Sequence, residues 1–328
     1  MPLTGAIDAR SFDLFEDHLK AFLENQSTRD PLAQQIAYHF AFGDPGVRRG
    51  KRLRPRLVMA AAASYGAKPE RTMAACVAVE LLHNYSLIHD DIEDADRLRH
   101  GRPTLWAAFG MEHGINAGDA VGALAQVALS AVAQTHGAES AFEMSMELAR
   151  ANLDTCTGQA QDLALAASPR ATLEQYLEMI GGKTASLFGC AAALGALCAH
   201  ADPAEVERSR EVGRLFGLGF QINDDVLGVW ASTQATGKAE ACDLARRKKN
   251  FPVVWALQRG GAAASELERA YADAAEPDAA AVERLRVLLE TCGAYEAARS
   301  AADTYFSEAL AHARGDEPLS DFVVQNRM

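Results

Sequence analysis

Residues 73–96 read MAACVAVELLHNYSLIHDDIEDAD, and this stretch decides the fold class of the chain. Its first part, Met73–His89, is mostly apolar and predicts a helix that is buried on most of its surface. The last turns carry five carboxylates, although like charges repel and the helix dipole disfavours acids there. Asp90 and Asp94 share one helix face, so their oxygens suit Mg²⁺, which prefers oxygen ligands. The alternative interpretation is a solvated acidic helix end.

A second pair of aspartates lies in Gly213–Val229, which reads GRLFGLGFQINDDVLGV. Asp224 and Asp225 interrupt an apolar helical pattern, and Gln221 lies three residues before Asp224 on the same face. Buried carboxylates are costly without a cation or a hydrogen-bond donor. One such pair is weak support for a metal site. Two pairs, each embedded in apolar helix and each followed by basic residues, are much stronger support.

Composition and charge exclude several functional classes. The chain has 328 residues, 49% of them hydrophobic, and a formal net charge of −12. The apolar content is ample for a large core, while the acidic charge argues against nucleic-acid partners and general attraction to anionic lipid. We identify no apolar run of membrane-spanning length and no signal-peptide pattern, so stable membrane insertion is not expected. The six cysteines are scattered without a CxxC pair, which favours reduced thiols and a cytoplasmic protein.

Helical patterns dominate the rest of the chain. Ala and Leu are abundant, and alternating strand patterns are rare. Clear examples are Ala117–Gln134, Glu143–Asp162, Leu173–Leu197 and Glu205–Leu227, and Gly and Pro mark the breaks. We therefore expect one all-α domain over residues 1–328, a bundle of roughly ten or more helices.

Two basic segments are candidates for holding phosphate. Arg48–Arg56 reads RRGKRLRPR, with Lys51 and Arg54 one turn apart, and Gly181–Thr184 reads GGKT. GGKT lacks the upstream glycine of a P-loop and lies between helical segments, so we reject a P-loop. Clustered Arg and Lys near glycine suit a diphosphate, because the Arg fork binds phosphate in a bidentate manner. The alternative is a surface helix end that favours cations.

Together these residues resemble the trans-prenyl diphosphate synthases, also called polyprenyl synthetases. The resemblance covers roughly residues 45–255, and its order and spacing match the family. The matching stretches are GKRLRP (50–55), HNYSLIHDDIED (83–94), RLRHGRPT (97–104), GQAQDL (158–163), GGKTASL (181–187), FQINDDVLG (220–228) and GKAEACDLARRKKNFP (237–252).

The resemblance implies a fold, a metal and a set of site residues. The fold is an all-α bundle of the isoprenoid synthase type with a deep central cavity. The implied metal is Mg²⁺, three ions with substrate diphosphate completing the shells, held by Asp90, Asp94 and Asp224 and supported by Asp91 and Asp225. The implied contacts of the allylic diphosphate or its metals are Arg99, Lys183, Gln221, Lys238 and Lys248. The implied residues for isopentenyl diphosphate are Lys51, Arg54 and His83, and those of the reaction zone are Thr184 and Gln159. Homodimerisation is the family habit.

Three positions depart from the family pattern. Residue 49 is Arg where the family has Gly, and Gly228 replaces the third acid of the second motif. His100 replaces an Arg that is an expected contact of isopentenyl diphosphate. A protonated His beside a diphosphate can partly substitute, since the anion raises its pKa.

The resemblance also implies a mechanism and a product length. Metal ions with Lys and Arg offset the charge that builds on the leaving diphosphate; within this group Lys183, Thr184, Gln221 and Lys238 are the catalytic candidates. Tyr85 and Ser86 lie five and four residues before Asp90, about one helical turn away on the wall of the growing chain. An aromatic at 85 predicts a geranylgeranyl or farnesyl product. The alternative is that Tyr85 is an ordinary core residue.

Three other functions fit part of the sequence. A class I terpene cyclase would share Asp90–Asp94, but residues Leu227 and Ala231 occupy the later ligand positions of its second motif. An HD-type phosphohydrolase would use His89–Asp90, but it leaves the second aspartate pair without a role. A non-catalytic partner subunit typically lacks one aspartate cluster, whereas both are present here.

Overall fold

The structure, a computed structural model, describes residues 9–26, 31–41, 50–168, 171–231, 242–273, 277–315 and 317–327. Almost all of its regular structure is helical. The helices are α1 (Ala9–Gln26), α2 (Pro31–Phe40), α3 (Leu53–Ser64), α4 (Met73–Glu93), α5 (Leu105–Phe109), α6 (Met111–Ser130), α7 (Val132–His136), α8 (Ala138–Ala167), α9 (Leu173–Ile180), α10 (Ser186–Cys198), α11 (Pro203–Trp230), α12 (Cys242–Ala245), α13 (Phe251–Arg259), α14 (Gly261–Ala272), α15 (Ala279–Thr291), α16 (Ala294–His312) and α17 (Pro318–Asn326). A 3₁₀ turn (Pro69–Arg71), a π-helical turn (Gly181–Ala185) and the short strands β1 (Leu98–Arg99) and β2 (Arg102–Pro103) complete the elements.

The chain divides into two compact units. The first comprises Met1–Asn152, Leu187–Gly213 and His312–Phe322, and the second comprises Leu153–Ser186, Arg214–Ala311 and Val323–Met328. The all-α class predicted from the sequence is confirmed, while the assignment of 1–328 to one domain stays a prediction.

Helix α4 is the centre of the first unit. Residues from Ala75 to Leu82 on it are buried without a break, including the acidic side chain of Glu80. Helix α6 packs along α4 through glycines spaced by four residues. A Cβ on Gly118 would lie 2.3 Å from the ring of His89, and one on Gly122 would lie 3.2 Å from the ring of Tyr85. These glycines therefore allow the close approach that places the acidic end of α4 against α6.

The second unit has its own apolar core at the end of α11. This core is formed by Val229, Leu244, Val253, Ala256, Leu267, Val282, Leu285, Leu289 and Ala294. Side-chain caps begin three of its helices, since Thr172, Asn250 and Asp278 each accept a backbone N–H of the first turn.

From the sequence we identify no apolar run long enough to span a membrane, but two helical stretches of the structure pass that test. Met111–His136 and Leu173–Cys198 are long and apolar enough to cross a membrane by length and composition alone. This is weak support for a span, because core helices of soluble proteins pass the same test. In the second stretch, 72% of the apolar window is buried.

Candidate active site

The first aspartate motif lies at the end of α4, where its members differ in environment. Asp91 is buried, with 3% exposure, and forms a bidentate pair with Arg99. The Nη2 atom of Arg99 donates to Oδ1 over 2.7 Å, and its Nε donates to Oδ1 and Oδ2 over 2.9 and 3.1 Å. Burial raises the pKa of Asp91, and the Arg99 guanidinium opposes that shift. Asp91 thus anchors the motif, while Asp90 and Asp94 are only half-buried.

The turn after this motif is held by a side chain that the sequence did not single out. The Nε1 of Trp106 donates to the carbonyls of Asp91 and Asp96, both over 2.8 Å. The hydroxyl of Thr104 also donates to the Asp96 carbonyl, over 2.7 Å. These bonds satisfy one carbonyl in the last turn of α4 and one just beyond it, and they fix the turn that carries Asp94.

The β1–β2 hairpin contains Arg99 and His100, followed by Gly101 and Arg102. Arg99 and His100 lie in different surroundings. Arg99 pairs with Arg102 across the hairpin and extends its side chain to Asp91. His100 has φ 52°, in the left-handed region, and lies exposed at the tip beside Gly101. The structure therefore brings Arg99 to the aspartate motif and places His100 at the exposed turn.

His83 of the first unit lies in a cationic environment that includes the buried Arg54. The Arg54 guanidinium lies 4.3 Å from the centre of the Phe188 ring, and its Nε is buried. No hydrogen-bond partner for that Nε occurs among the described residues. Burial lowers the pKa of Arg54 to about 10. Burial, followed by the charges of Arg54 and Arg99, holds the pKa of His83 well below its usual value. The positive charge of these arginines favours an anion near His83.

Lys51, Tyr85 and Ser86 complete the predicted residues of the first unit. Lys51 is exposed, just before α3. The Tyr85 ring packs against His89 with centroids 4.8 Å apart, and the Ser86 hydroxyl donates to the His83 carbonyl over 2.8 Å. Tyr85 is therefore held between its own helix and α6, and its role in product length stays a prediction.

The second aspartate motif is organised around Asp225. Its Oδ2 accepts from the Tyr176 hydroxyl over 2.5 Å and from the Phe251 N–H over 2.8 Å, and its Oδ1 accepts from Gln221 over 3.0 Å. The hydroxyl of Thr184 in turn donates to Oε1 of Gln221 over 2.8 Å. Burial, with the Asp243 charge as the next cause, raises the pKa of Asp225 to about 7. The structure thus joins three predicted residues, Thr184, Gln221 and Asp225, in one hydrogen-bond chain.

Asp224, the neighbour of Asp225, is exposed, so α11 presents one anchored and one accessible carboxylate. Downstream, Asp243 packs against Gly228, where a Cβ would lie 2.1 Å from Oδ2 of Asp243. The glycine that departs from the family pattern therefore makes room for another acid beside the motif.

Lys183 lies in the π-helical turn between α9 and α10. Its Nζ donates to Oδ2 of Asp162 on α8 over 2.6 Å. A Cβ on Gly158 would lie 2.0 Å from the Lys183 backbone nitrogen, so only glycine permits this approach. GGKT was predicted to lie between helical segments, and the structure shows it as a single wide turn inside a continuous helical run. Such turns occur frequently at functional sites.

Two basic residues remain from the predicted set. Lys248 is half-buried, and its carbonyl accepts from the Tyr271 hydroxyl over 3.2 Å. Lys238 lies outside the described residues.

The donor chemistry of the two motifs suits Mg²⁺. Asp90, Asp94 and Asp224 offer carboxylate oxygens, the ligand type that Mg²⁺ prefers. Within the described parts of the chain, no three acidic, His or Cys side chains already form a metal-binding group. Mg²⁺ usually takes only one or two carboxylates and completes its shell with water and substrate phosphate, so the residues fit the ion.

Known proteins give an independent comparison. Residues 41–289 match the family model described as polyprenyl synthetase. The geranylgeranyl diphosphate synthase of Mycobacterium tuberculosis is 39% identical over 291 residues, 87% of this chain and 82% of that protein. The crystal structure of a polyprenyl synthetase from Streptomyces coelicolor A3(2) superposes with a TM-score of 0.87 at 34% identity, covering 97% of this chain and 96% of that one.

A further solved structure contains ligands. The polyprenyl synthase from Caulobacter crescentus CB15, complexed with calcium and isoprenyl diphosphate, has a TM-score of 0.81 and 29% identity over the whole of both chains. These matches do not favour the cyclase or phosphohydrolase alternatives. The chain belongs to the polyprenyl synthetase family, and the resemblance to trans-prenyl diphosphate synthases found in its motifs is confirmed.

Proposed function

We propose that this protein is a short-chain prenyltransferase that condenses isopentenyl diphosphate with an allylic diphosphate. The allylic substrate is dimethylallyl, geranyl or farnesyl diphosphate, and the product is geranylgeranyl or farnesyl diphosphate. The observation that carries the proposal is the pair of aspartate motifs, each anchored by one buried, hydrogen-bonded aspartate beside a more accessible one. Such an arrangement suits carboxylates that bind metal ions on a diphosphate.

We assign the direct metal contacts to Asp90, Asp94 and Asp224. Asp91 and Asp225 already accept hydrogen bonds from protein donors, so they act as supports. We propose three Mg²⁺ ions, with diphosphate oxygens completing their shells. When bound, Mg²⁺ supplies positive charge that offsets the negative charge building on the leaving diphosphate.

The residues assigned to the allylic diphosphate bind its oxygens and hold it in position. The side chains are Arg99, Lys183, Gln221, Lys238 and Lys248. The pairing of Arg99 with Asp91 uses Nε and Nη2, so we assign its Nη1 to the substrate. Lys183 is held by Asp162, and Gln221 is held between Thr184 and Asp225, so both are oriented before substrate arrives.

The diphosphate of isopentenyl diphosphate is assigned to Lys51, Arg54 and His83, with His100 as a further contact. The buried Arg54 Nε supports this assignment, because a buried donor needs an acceptor and a diphosphate oxygen provides one. The double bond of isopentenyl diphosphate attacks C1 of the allylic cation, and a proton is then lost. The released pyrophosphate takes that proton, so we assign no catalytic histidine. Apolar walls that exclude water protect the cation from hydrolysis.

Product length is assigned to Tyr85, with Ser86 beside it. The packing of the Tyr85 ring against His89 and α6 supports a fixed stop for the growing chain. An aromatic stop one turn before Asp90 favours a product no longer than geranylgeranyl diphosphate.

We also propose a homodimer, one domain over residues 1–328, and a cytoplasmic location. The large apolar side chains of Ile115, Val127, Phe142 and Met146 on α6 and α8 are exposed, which supports a protein interface there. The molar mass of the purified protein in solution, measured by light scattering, tests the dimer.

Incubation with radiolabelled isopentenyl diphosphate, Mg²⁺ and each short allylic primer tests the function. We expect label in a geranylgeranyl or farnesyl product, and no incorporation when the ion is chelated. A hydrocarbon formed from an allylic diphosphate alone would instead support a terpene cyclase, and no labelled product with any primer would refute the proposal.

A further inference from the structure

The residue between Lys51 and the start of α3 has an uncommon backbone conformation. Arg52, the N-cap of α3, has φ 50° and ψ 43°, in the left-handed region that residues other than glycine seldom occupy. Such conformations persist only where surrounding contacts enforce them, and they often occur at functional sites. The left-handed conformation of Arg52 must therefore be maintained by the contacts of its side chain.

Two buried acids hold the Arg52 side chain. Its Nε donates to Oε1 of Glu16 on α1 over 2.8 Å, and its Nη1 donates to Oε1 of Glu80 on α4 over 2.6 Å. All three side chains are less than a tenth exposed. Glu80 also accepts from the Asn84 side chain over 3.0 Å, and Oδ1 of Asn84 accepts from Nε2 of His39 over 2.9 Å. The Arg52 side chain is thus fixed from α1 and α4 at once.

The position of this triad in the chain connects it with the substrate. Arg52 directly follows Lys51 and lies two residues before Arg54, and both neighbours are assigned above to isopentenyl diphosphate. The directions of these neighbours depend on the φ and ψ angles of Arg52, because it lies between them. The guanidinium of Arg52 itself is directed away, to Glu16 and Glu80, so it does not need to contact the substrate.

We propose that Arg52, held by Glu16 and Glu80, is a positioning residue for the isopentenyl diphosphate subsite. The buried triad maintains the left-handed turn, and the turn aims Lys51 and Arg54 at one diphosphate. This inference rests on the proposed function of Lys51 and Arg54.

The most informative variants are Glu16→Gln and Arg52→Lys. Glu16→Gln retains the accepting Oε1 but removes the negative charge of a side chain that is distant in sequence from Lys51 and Arg54. Arg52→Lys retains the positive charge but loses the guanidinium that binds both Glu16 and Glu80. We expect each to raise the KM for isopentenyl diphosphate about tenfold, the lower end of the range for loss of a supporting partner, with the KM for the allylic diphosphate changed less than twofold. Arg52→Lys should recover part of the affinity that Arg52→Gly loses.

Glu24→Gln is the matched control, because Glu24 lies on the same helix in an exposed pair with Lys20. It should leave both KM values unchanged. An equal rise of both KM values in the triad variants, or an unchanged KM for isopentenyl diphosphate, would overturn the inference. Loss of the folded state in both Glu16→Gln and Arg52→Lys, measured by thermal unfolding, would make the triad a stability element and would also overturn it.

Lys51→Ala separates this inference from the assignment on which it rests. If Lys51→Ala leaves the KM for isopentenyl diphosphate unchanged, the subsite assignment fails. If Lys51→Ala raises that KM while Glu16→Gln does not, only the positioning role fails.

Discussion

Tyr176 donates a hydrogen bond from its hydroxyl to Oδ2 of Asp225 over 2.5 Å, although 49 positions separate the two residues in the chain. Burial holds the pKa of Tyr176 well above its usual value, with the charge of Asp225 as the next cause, so the phenol remains a protonated donor. The same carboxylate oxygen accepts the Phe251 N–H, and the two rings meet edge to face with centroids 5.7 Å apart. This junction fixes the segment of α11 that carries the second aspartate motif.

Tyr176→Phe tests that junction, since it removes one donor to a buried carboxylate. We expect turnover to fall about 10- to 100-fold, as for loss of a partner that orients a metal ligand, and the free energy of unfolding to fall by about 1–3 kcal/mol. Steady-state kinetics and urea denaturation measure the two effects. Tyr295→Phe, at a residue whose side chain is 37% exposed, is the control and should change neither. Wild-type turnover in Tyr176→Phe would contradict the role of the junction.

Substitutions in the first motif should separate metal binding from anchoring. Asp90→Ala should abolish turnover while the melting temperature stays close to that of the wild type. Asp91→Ala should also lower the free energy of unfolding by up to about 3 kcal/mol, because it leaves the Arg99 charge without its buried partner. Glu93→Ala, at an exposed acid of the same turn, is the control. Near-normal turnover in Asp90→Ala would refute the metal assignment.

Tyr85→Ala should lengthen the product, because it removes the ring that packs against His89 and the Gly122 surface of α6. Chromatography of the dephosphorylated prenyl alcohols measures chain length. Tyr85→Phe keeps the ring and should retain the wild-type distribution. If Tyr85→Ala gave the same distribution, Tyr85 would be an ordinary core residue.

Because of His39, the free energy of unfolding should decrease as the pH falls below about 6.5. Burial lowers its pKa to about 4, with the charges of Arg99, Arg52 and Arg102 adding to that effect and the Asn84 hydrogen bond opposing it. Below its ordinary pKa of about 6.5, unfolded His39 binds a proton while folded His39 stays neutral, so the folded state loses stability as pH falls from about 6.5 to 4.

The decrease in the free energy of unfolding that His39 causes has an upper limit of about 3 kcal/mol. His39→Gln keeps a donor to Asn84 but does not titrate, so the wild type should lose more stability than this variant across that range. Denaturant unfolding at several pH values measures the difference. A difference between the two proteins that does not change with pH would contradict the shift.

The local patterns of the sequence were sufficient to predict the helices, and they also supplied the candidate site residues, whose roles stay predictions. The apolar run before Asp90 became α4, and the predicted helix Glu205–Leu227 lies within α11. The sequence placed Gln221 on the same helix face as Asp224, three residues later, whereas in the structure its side-chain amide donates to Asp225, four residues later.

The contacts between distant segments could not be predicted in this way. Tyr176 and Trp106 fit the apolar pattern of core residues, and nothing local shows that their polar atoms bond to the two motifs. Arg52 resembled its basic neighbours in sequence, yet its side chain turns inward to two acids on other helices. These partners are set by tertiary packing, which hydrophobic periodicity does not encode.

The proposed function requires that the two aspartate motifs hold ions on one diphosphate. A crystal structure with Mn²⁺ and an unreactive thiolo analogue of an allylic diphosphate, phased by the anomalous signal of the ions, tests it most directly. We predict ions bound by Asp90 and Asp94 and a further ion bound by Asp224, all contacting the same diphosphate. Ions at Asp90 and Asp224 that share no ligand would contradict the account.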